Sequence, residues 1–157
     1  MDIEVVERKF QATLCVRTLT SVEKLPELIG NTYHRIMDYM EQMGEELDGD
    51  PYIGYFNMDM QNLDVEIGIP VDKVLPGMED ISPGELPMGD VVTALYKGPY
   101  GEMTSAYDEI NAWIVSHGYK PIGTAYEKYY NSPAEVPESE LLTRIEFPVT
   151  KVLVENR

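Results

Sequence analysis

The run Tyr126-Glu127-Lys128-Tyr129-Tyr130 sets a single carboxylate among tyrosines. If the run is a strand, period-two alternation puts Glu127 and Tyr129 on one face. A carboxylate held among aromatic rings loses its water, so it must be protonated, hydrogen-bonded or paired, and it then suits a delocalised organic cation. Tyrosine faces add cation–π attraction and stacking surface, each contact worth about 0.5–2 kcal/mol. The same desolvation pushes the carboxyl pKa upward, the condition under which one acid can shuttle a proton beside a phenol near neutral pH. The plainer expectation for Glu127 is an ion pair with Arg144 or a solvated edge position. Arg144 and Glu146 together read as a solvated polar face.

Other chemistries find little support. His34 and His117 stand alone, outside any His-x-x-x-His or cysteine-bearing cluster, and neither joins a serine or cysteine nucleophile in sequence, so no metal and no cofactor is expected. Gly98-Pro99-Tyr100-Gly101 lacks the Lys-Ser/Thr of a phosphate loop and reads as a strand-to-helix turn. The acidic runs at 45–50 and 135–140 lack calcium-loop spacing. The lone Cys15 lies in the apolar run Ala12-Thr13-Leu14-Cys15-Val16, as a buried thiol in a reducing compartment would. The start Met1-Asp2-Ile3-Glu4 has no signal-peptide character and no apolar stretch is long enough to span a bilayer, which predicts a cytoplasmic location without membrane contact. Twelve Lys and Arg against 28 Asp and Glu give a formal net charge of −16, which repels a phosphate backbone and favours cationic partners over nucleic acid. With 157 residues, 43% of them hydrophobic, the chain is expected to form one domain, residues 1–157.

The elements that would carry Glu127 come in a repeating order. Apolar patches on either side of Arg8-Lys9 predict one bent strand or two short ones over 3–18. Leu25, Leu28, Ile29, Thr32, Ile36, Tyr39, Met40 and Met43 recur at helical spacing over 22–43, with Pro26 in the first turn and Gly44 at the end. Strands follow at 52–56 and 63–70, and 72–89 reads as a Gly/Pro-rich connector. From Asp90 the order begins again: a strand at 91–96, a helix carrying Met103, Ala106, Tyr107, Ile110, Trp113 and Ile114, and strands at 125–130 and 141–149. An offset of 74 superposes Tyr33 on Tyr107, Ile36 on Ile110, Tyr39 on Trp113, Gly44 on Gly118, Gly49 on Gly123, Tyr52 on Tyr126 and Tyr55 on Tyr129. After a four-residue insertion, Ile67 to Val71 fall on Ile145 to Val149. The chain therefore reads as an α+β domain of two strand-helix-strand-strand modules, with a first repeat at about 3–72, a linker at about 73–88 and a second repeat at about 89–154. One helix per module covers one sheet face, so the opposite faces must pack together or curve, with a central cleft for a ligand. At the offset, Ile53 is replaced by Glu127, which adds Ile53, Tyr55 and Trp113 to the candidate site.

Taken together, Tyr96-Lys97-Gly98-Pro99-Tyr100, Ala106-Tyr107 through Trp113 to Gly118-Tyr119, Tyr126-Glu127-Lys128-Tyr129 and Thr143-Arg144-Ile145-Glu146-Phe147-Pro148 give a chain that resembles the GyrI-like small-molecule-binding domains. These also occur as the effector-binding modules of AraC-type and MerR-type multidrug regulators. The resemblance covers nearly all of the chain and implies the duplicated (SHS2) fold with pseudo-two-fold symmetry. It implies that Glu127 is the pocket glutamate that meets lipophilic cations, with Tyr129 on the same strand face and Tyr100 near the cleft. No helix-turn-helix extension is present, so a free-standing multidrug-type binder of planar, lipophilic, often cationic compounds is expected, acting as a sequestrant or sensor. Two alternatives follow from the resemblance. One is a hydrolase of cyclopropane-containing genotoxic compounds with Glu127 and Tyr129 as catalytic residues. The other is an inhibitor of DNA gyrase acting by protein–protein contact, gyrase or a regulator being the protein partner.

Overall fold

Arg8-Lys9 divides the N-terminal apolar stretch into two strands, β1 (Ile3–Arg8) and β2 (Ala12–Thr20), in a computed structural model that describes residues 1–152. The end of the second repeat near 154 lies outside the described residues. The remaining strands are β3 (Tyr52–Tyr55), β4 (Leu63–Pro70), β5 (Ser82–Glu85), β6 (Gly89–Lys97), β7 (Tyr119–Pro121), β8 (Ala125–Tyr129) and β9 (Leu142–Lys151). The helices are α1 (Leu25–Met43) and α2 (Met103–Ser116), the latter entered through a single 3-10 turn at Tyr100–Glu102. α1 ends where the spacing predicts: Gly44 sits at φ 72°, a left-handed geometry that costs glycine little, and its N–H caps the carbonyls of Glu41 and Met40. No helix among the described residues is long and apolar enough to cross a membrane.

All strand pairs are antiparallel, in the order β1-β6-β9-β8-β3-β4-β2-β5 with β7 beside β9, so the fold is α+β. The registers of the two halves match. Tyr52 opposes Gly68 and Ile53 opposes Ile67, while Tyr126 opposes Glu146 and Glu127 opposes Ile145. Thr13 opposes Pro70 as Val91 opposes Pro148. β3 and β8 pair with each other, with Ile53 directly across from Glu127. The two positions that the 74-residue offset equates are thus cross-strand partners, and the halves join edge to edge about that pair.

Three expectations need correction. The opposite faces of the halves are not packed on each other: the halves form one continuous sheet, with α1 and α2 on the same face. Residues of α1 pack with Ile53, Val65 and Ile67, and Tyr107 of α2 reaches Glu127, the partner of Ile53. The connector at 72–89 contains β5, which pairs with β2 from Ala12↔Glu85 to Cys15↔Ser82. Pro83 and Gly84 hide its strand signal, and as an edge strand β5 tolerates a proline. β1 belongs spatially to the second half, because Ile3 and Val5 pack on the core beneath α2.

That core comprises Val92, Ala94, Ile110, Ile114, Ile145 and Phe147, and its counterpart beneath α1 comprises Leu14, Val16, Ile36, Met40 and Ile69. Between them a third cluster, Leu25, Ile53, Leu63, Val65 and Ile67, floors the space where the halves meet. The opposite sheet face carries polar groups. Glu146 is buried there, 2.5 Å from Arg8 and 3.3 Å from Lys128, while Arg144 donates to the Tyr130 hydroxyl and to Thr93. The expected Arg144–Glu146 solvated face is therefore replaced by a buried carboxylate clamped by two cations, one of them from β1, a strand remote in sequence. Burial works to raise the Glu146 pKa, but Lys128 and Arg8 outweigh it and hold the carboxyl below its ordinary value. A lowered folded-state pKa stabilises above the ordinary carboxylate pKa and is lost as pH falls through the lowered value. Lys128→Met is accordingly expected to cost about 1–3 kcal/mol at neutral pH, with the deficit shrinking in acid, as denaturant titrations at the two pH values would reveal.

Candidate functional site

Alternation along β8 turns Ala125, Glu127 and Tyr129 toward the helices, and the β3–β8 register brings Ile53 and Tyr55 to the same face. From above, α1 contributes Tyr33 and α2 contributes Tyr107. The Glu127 carboxylate is 8% exposed and accepts two phenolic hydrogen bonds, from Tyr129 to Oε1 at 2.5 Å and from Tyr107 to Oε2. The Tyr129 hydroxyl also lies 3.1 Å from that of Tyr55. The Tyr100 ring meets Tyr129 edge-on, with centroids 5.8 Å apart, and is 42% exposed at the rim of the cluster. No ion pair among the described residues involves Glu127.

Burial pushes the Glu127 carboxyl above its ordinary pKa, and the hydrogen bonds from Tyr107 and Tyr129 oppose that rise without cancelling it. Burial, followed by the nearby Glu127 charge, also raises the phenols of Tyr107, Tyr129 and Tyr55, so each remains a donor at neutral pH. The result is a buried carboxylate whose partners are all neutral. It can pair with an incoming cation or exchange a proton with a neighbouring group. The hydroxyls of Tyr55, Tyr129 and Tyr107 form a connected chain with it, and each carboxylate oxygen keeps a lone pair for a ligand.

Five of the six candidates predicted from sequence meet here: Glu127, Tyr129, Tyr100, Tyr55 and Ile53. Trp113 does not. It stacks on His117 with centroids 3.8 Å apart and borders a cavity with Met1, Ile3 and Glu109, on the flank of α2 away from the carboxylate. At 100° per residue, Trp113 is about 120° around the helix from Tyr107. The offset that paired it with Tyr39 establishes equivalence between halves, which is not the same as closeness to the axis. The two residues sequence reasoning left out of the site are Tyr33 and Tyr107. The offset had matched them to each other, and their shared helical face with Ile36 and Ile110 was the signal that could have found them.

The site is thus two sets of equivalent residues about the Ile53–Glu127 pair: Tyr33 with Tyr107, Tyr55 with Tyr129, and an isoleucine where the other half has the acid. One consequence is visible in hydrogen bonding. Tyr107 donates to Glu127, whereas the buried Tyr33 hydroxyl has no partner among the described residues. A separate cavity of about 390 Å³ opens on the opposite sheet face, bordered by Arg8, Phe10, Tyr126, Lys128 and Glu146.

Comparison with known proteins follows this geometry. The family described as GyrI-like small molecule binding domain matches residues 1–150. The C-terminal domain of EcmrR is similar in structure, with TM-score 0.79 and 24% identity, over 96% of this chain and 98% of that one. EcmrR in its DNA complex gives TM-score 0.84 and 23% identity over 96% of this chain, which spans 58% of that one. A hydrolase from Listeria innocua gives TM-score 0.71 and 18% identity over 94% of this chain and 91% of that one. SAV2435 bound to tetraphenylphosphonium gives TM-score 0.61 and 10% identity over 96% and 94%. At these identities the likeness to the solved structures is one of fold. No curated protein matches the sequence.

Proposed function

Because the chain belongs to the family of GyrI-like small-molecule-binding domains, we propose that it captures planar, lipophilic cations on Glu127, as a sequestrant or sensor in the cytoplasm. One observation carries the reading: among the described residues, a buried carboxylate bonded only by tyrosine hydroxyls and in no ion pair. A cation entering the cluster supplies the charge the site lacks, and the rings of Tyr129, Tyr55 and Tyr100 offer faces for it, each cation–π contact worth about 0.5–2 kcal/mol. Tetraphenylphosphonium on the similarly folded SAV2435 is in keeping with the charge and lipophilicity of this ligand class, though it is tetrahedral and not planar. The net charge of −16 works against direct nucleic-acid contact by this domain and raises the local concentration of cations. We read the chain as one domain whose sequence repeats, at about 3–72 and 89–154, differ from its spatial halves in that β1 joins the second.

The test is a pair of calorimetric titrations with 1-methylquinolinium and its neutral isostere 1-methylnaphthalene. The cation is expected to bind with a Kd in the micromolar range, corresponding to about −8 kcal/mol, and the neutral compound at least about ten-fold more weakly. Equal affinities, or no binding of the cation, would sink the reading.

The contact of Tyr107 and Tyr129 with a carboxyl of raised pKa also favours a second reading, hydrolysis of a strained ring. Water would be added across a cyclopropane bond, its oxygen bonding to one carbon while the other carbon takes a proton delivered through Glu127. Incubation with a cyclopropane-containing substrate should then yield a product heavier by one water. Stoichiometric binding without that product excludes it.

A further inference from the structure

Of the four tyrosine hydroxyls enclosed around the Ile53–Glu127 pair, those of Tyr33, Tyr55, Tyr107 and Tyr129, only that of Tyr33 has no partner among the described residues. Tyr107 and Tyr129 donate to Glu127, and Tyr55 pairs with Tyr129. Tyr33 occupies in α1 the position Tyr107 holds in α2, packed against the cluster of Leu25, Ile53, Leu63, Val65 and Ile67, and its buried oxygen has no hydrogen-bond partner among the described residues. The cause is the exchange of acid for isoleucine: the acceptor Tyr107 finds in Glu127 is missing at Ile53. A buried donor left unpaired is costly.

We propose that the Tyr33 hydroxyl is a specificity-determining donor, and that the ligand carries a hydrogen-bond acceptor, such as a ring carbonyl, at the end opposite its cationic centre. This rests on the reading of Glu127 as the cation's partner and adds the second pole of the ligand. A compound lying across the axis puts its positive end on Glu127 and its acceptor on the Ile53 side, where Tyr33 completes the bond that Ile53 cannot. Burial keeps the Tyr33 phenol protonated and therefore a donor.

The test uses 6-acetyl-1-methylquinolinium and 6-isopropyl-1-methylquinolinium, cations matched in shape but differing in one acceptor, titrated calorimetrically into the wild type and Tyr33→Phe. The acetyl compound is expected to bind the wild type about ten-fold more tightly, and Tyr33→Phe to erase that preference while leaving the isopropyl compound unchanged. The empty variant should melt no lower than the wild type, because the deleted hydroxyl bonds nothing. If both cations bind the wild type equally, or Tyr33→Phe weakens both alike, Tyr33 is not the acceptor's partner and the Glu127 reading survives alone. If Tyr33→Phe melts lower, its hydroxyl is already bonded in the empty protein and the proposal falls. If neither cation binds the wild type, the Glu127 reading fails and takes this one with it.

Discussion

Glu127→Gln is expected to weaken 1-methylquinolinium binding by about 10- to 100-fold while leaving 1-methylnaphthalene unaffected, a loss in the range for removing one charged partner of a buried contact. The substitution keeps the shape of the side chain and its ability to accept from one phenol, so the rings that stack on the ligand stay in place. The pH dependence separates charge from shape. Burial raises the Glu127 carboxyl pKa, so the wild type should lose its affinity for the cation as pH falls through that raised value, at a higher pH than an ordinary carboxylate would. Fold stability moves the other way. A raised folded-state pKa favours the protonated form, a contribution fully present below the ordinary carboxylate pKa and lost as pH rises through the raised one. Glu127→Gln should therefore gain stability relative to the wild type as pH rises, while binding the cation worse. Denaturant titrations at acidic and neutral pH, run beside the binding titrations, check both signs. A variant that loses affinity and stability together would point to a damaged fold instead.

Gly68→Ala is expected to destabilise the domain by about 2–3 kcal/mol, lowering Tm by about 5–10 °C for a chain of this size. A Cβ at position 68 would lie 2.5 Å from Cζ and Oη of Tyr52, a side chain with no exposed surface. Tyr52 cannot swing clear cheaply, because its hydroxyl donates to Glu66 at 2.7 Å and lies 3.0 Å from Thr13 Oγ1. Gly30 supplies the control. It lies within α1 with nothing within 4 Å of its added Cβ, so Gly30→Ala should stabilise by about 0.5–1 kcal/mol. Thermal melts of both variants decide the matter: similar shifts would show that Tyr52 yields to the new methyl group. The second half solves the same packing problem differently. Glu146 replaces Gly68, and Tyr126 lies over Gly54, close enough that a Cβ there would come within 2.8 Å of its ring.

These cases mark how far the sequence could be read. The helical spacing from Leu25 to Met43, the alternation at Leu63 to Pro70 and the 74-residue offset all express local periodicity, which survives into the structure because each element buries one face. The same periodicity put Glu127, Tyr129 and Tyr55 together, since two-residue alternation fixes a strand side chain's face. It could not say which edges meet. The union of β3 with β8 and the pairing of β1 with β6 are long-range choices, the second supported by packing of Ile3 and Val5 and by the clamp of Arg8 on Glu146. β5 and β7 escaped notice because Pro83, Gly84 and Pro121 interrupt any alternation in segments of four and three residues. Trp113 was misplaced, and Tyr33 and Tyr107 missed, for one reason: a helix angle decides which residue of a matched pair points at the axis, and the match carries no angle.

An open sheet has two rims, and a rim with unpaired backbone groups can recruit a strand from another molecule. Here β5 closes one end with four residues that include Pro83 and Gly84, and β1 closes the other with Glu4 and Glu7 on a chain already charged at −16. Brevity, proline and acid are the devices by which natural sheets resist growth at their borders. They let a single open sheet keep hydrophobic clusters beneath two helices without inviting fibre-like stacking at high concentration.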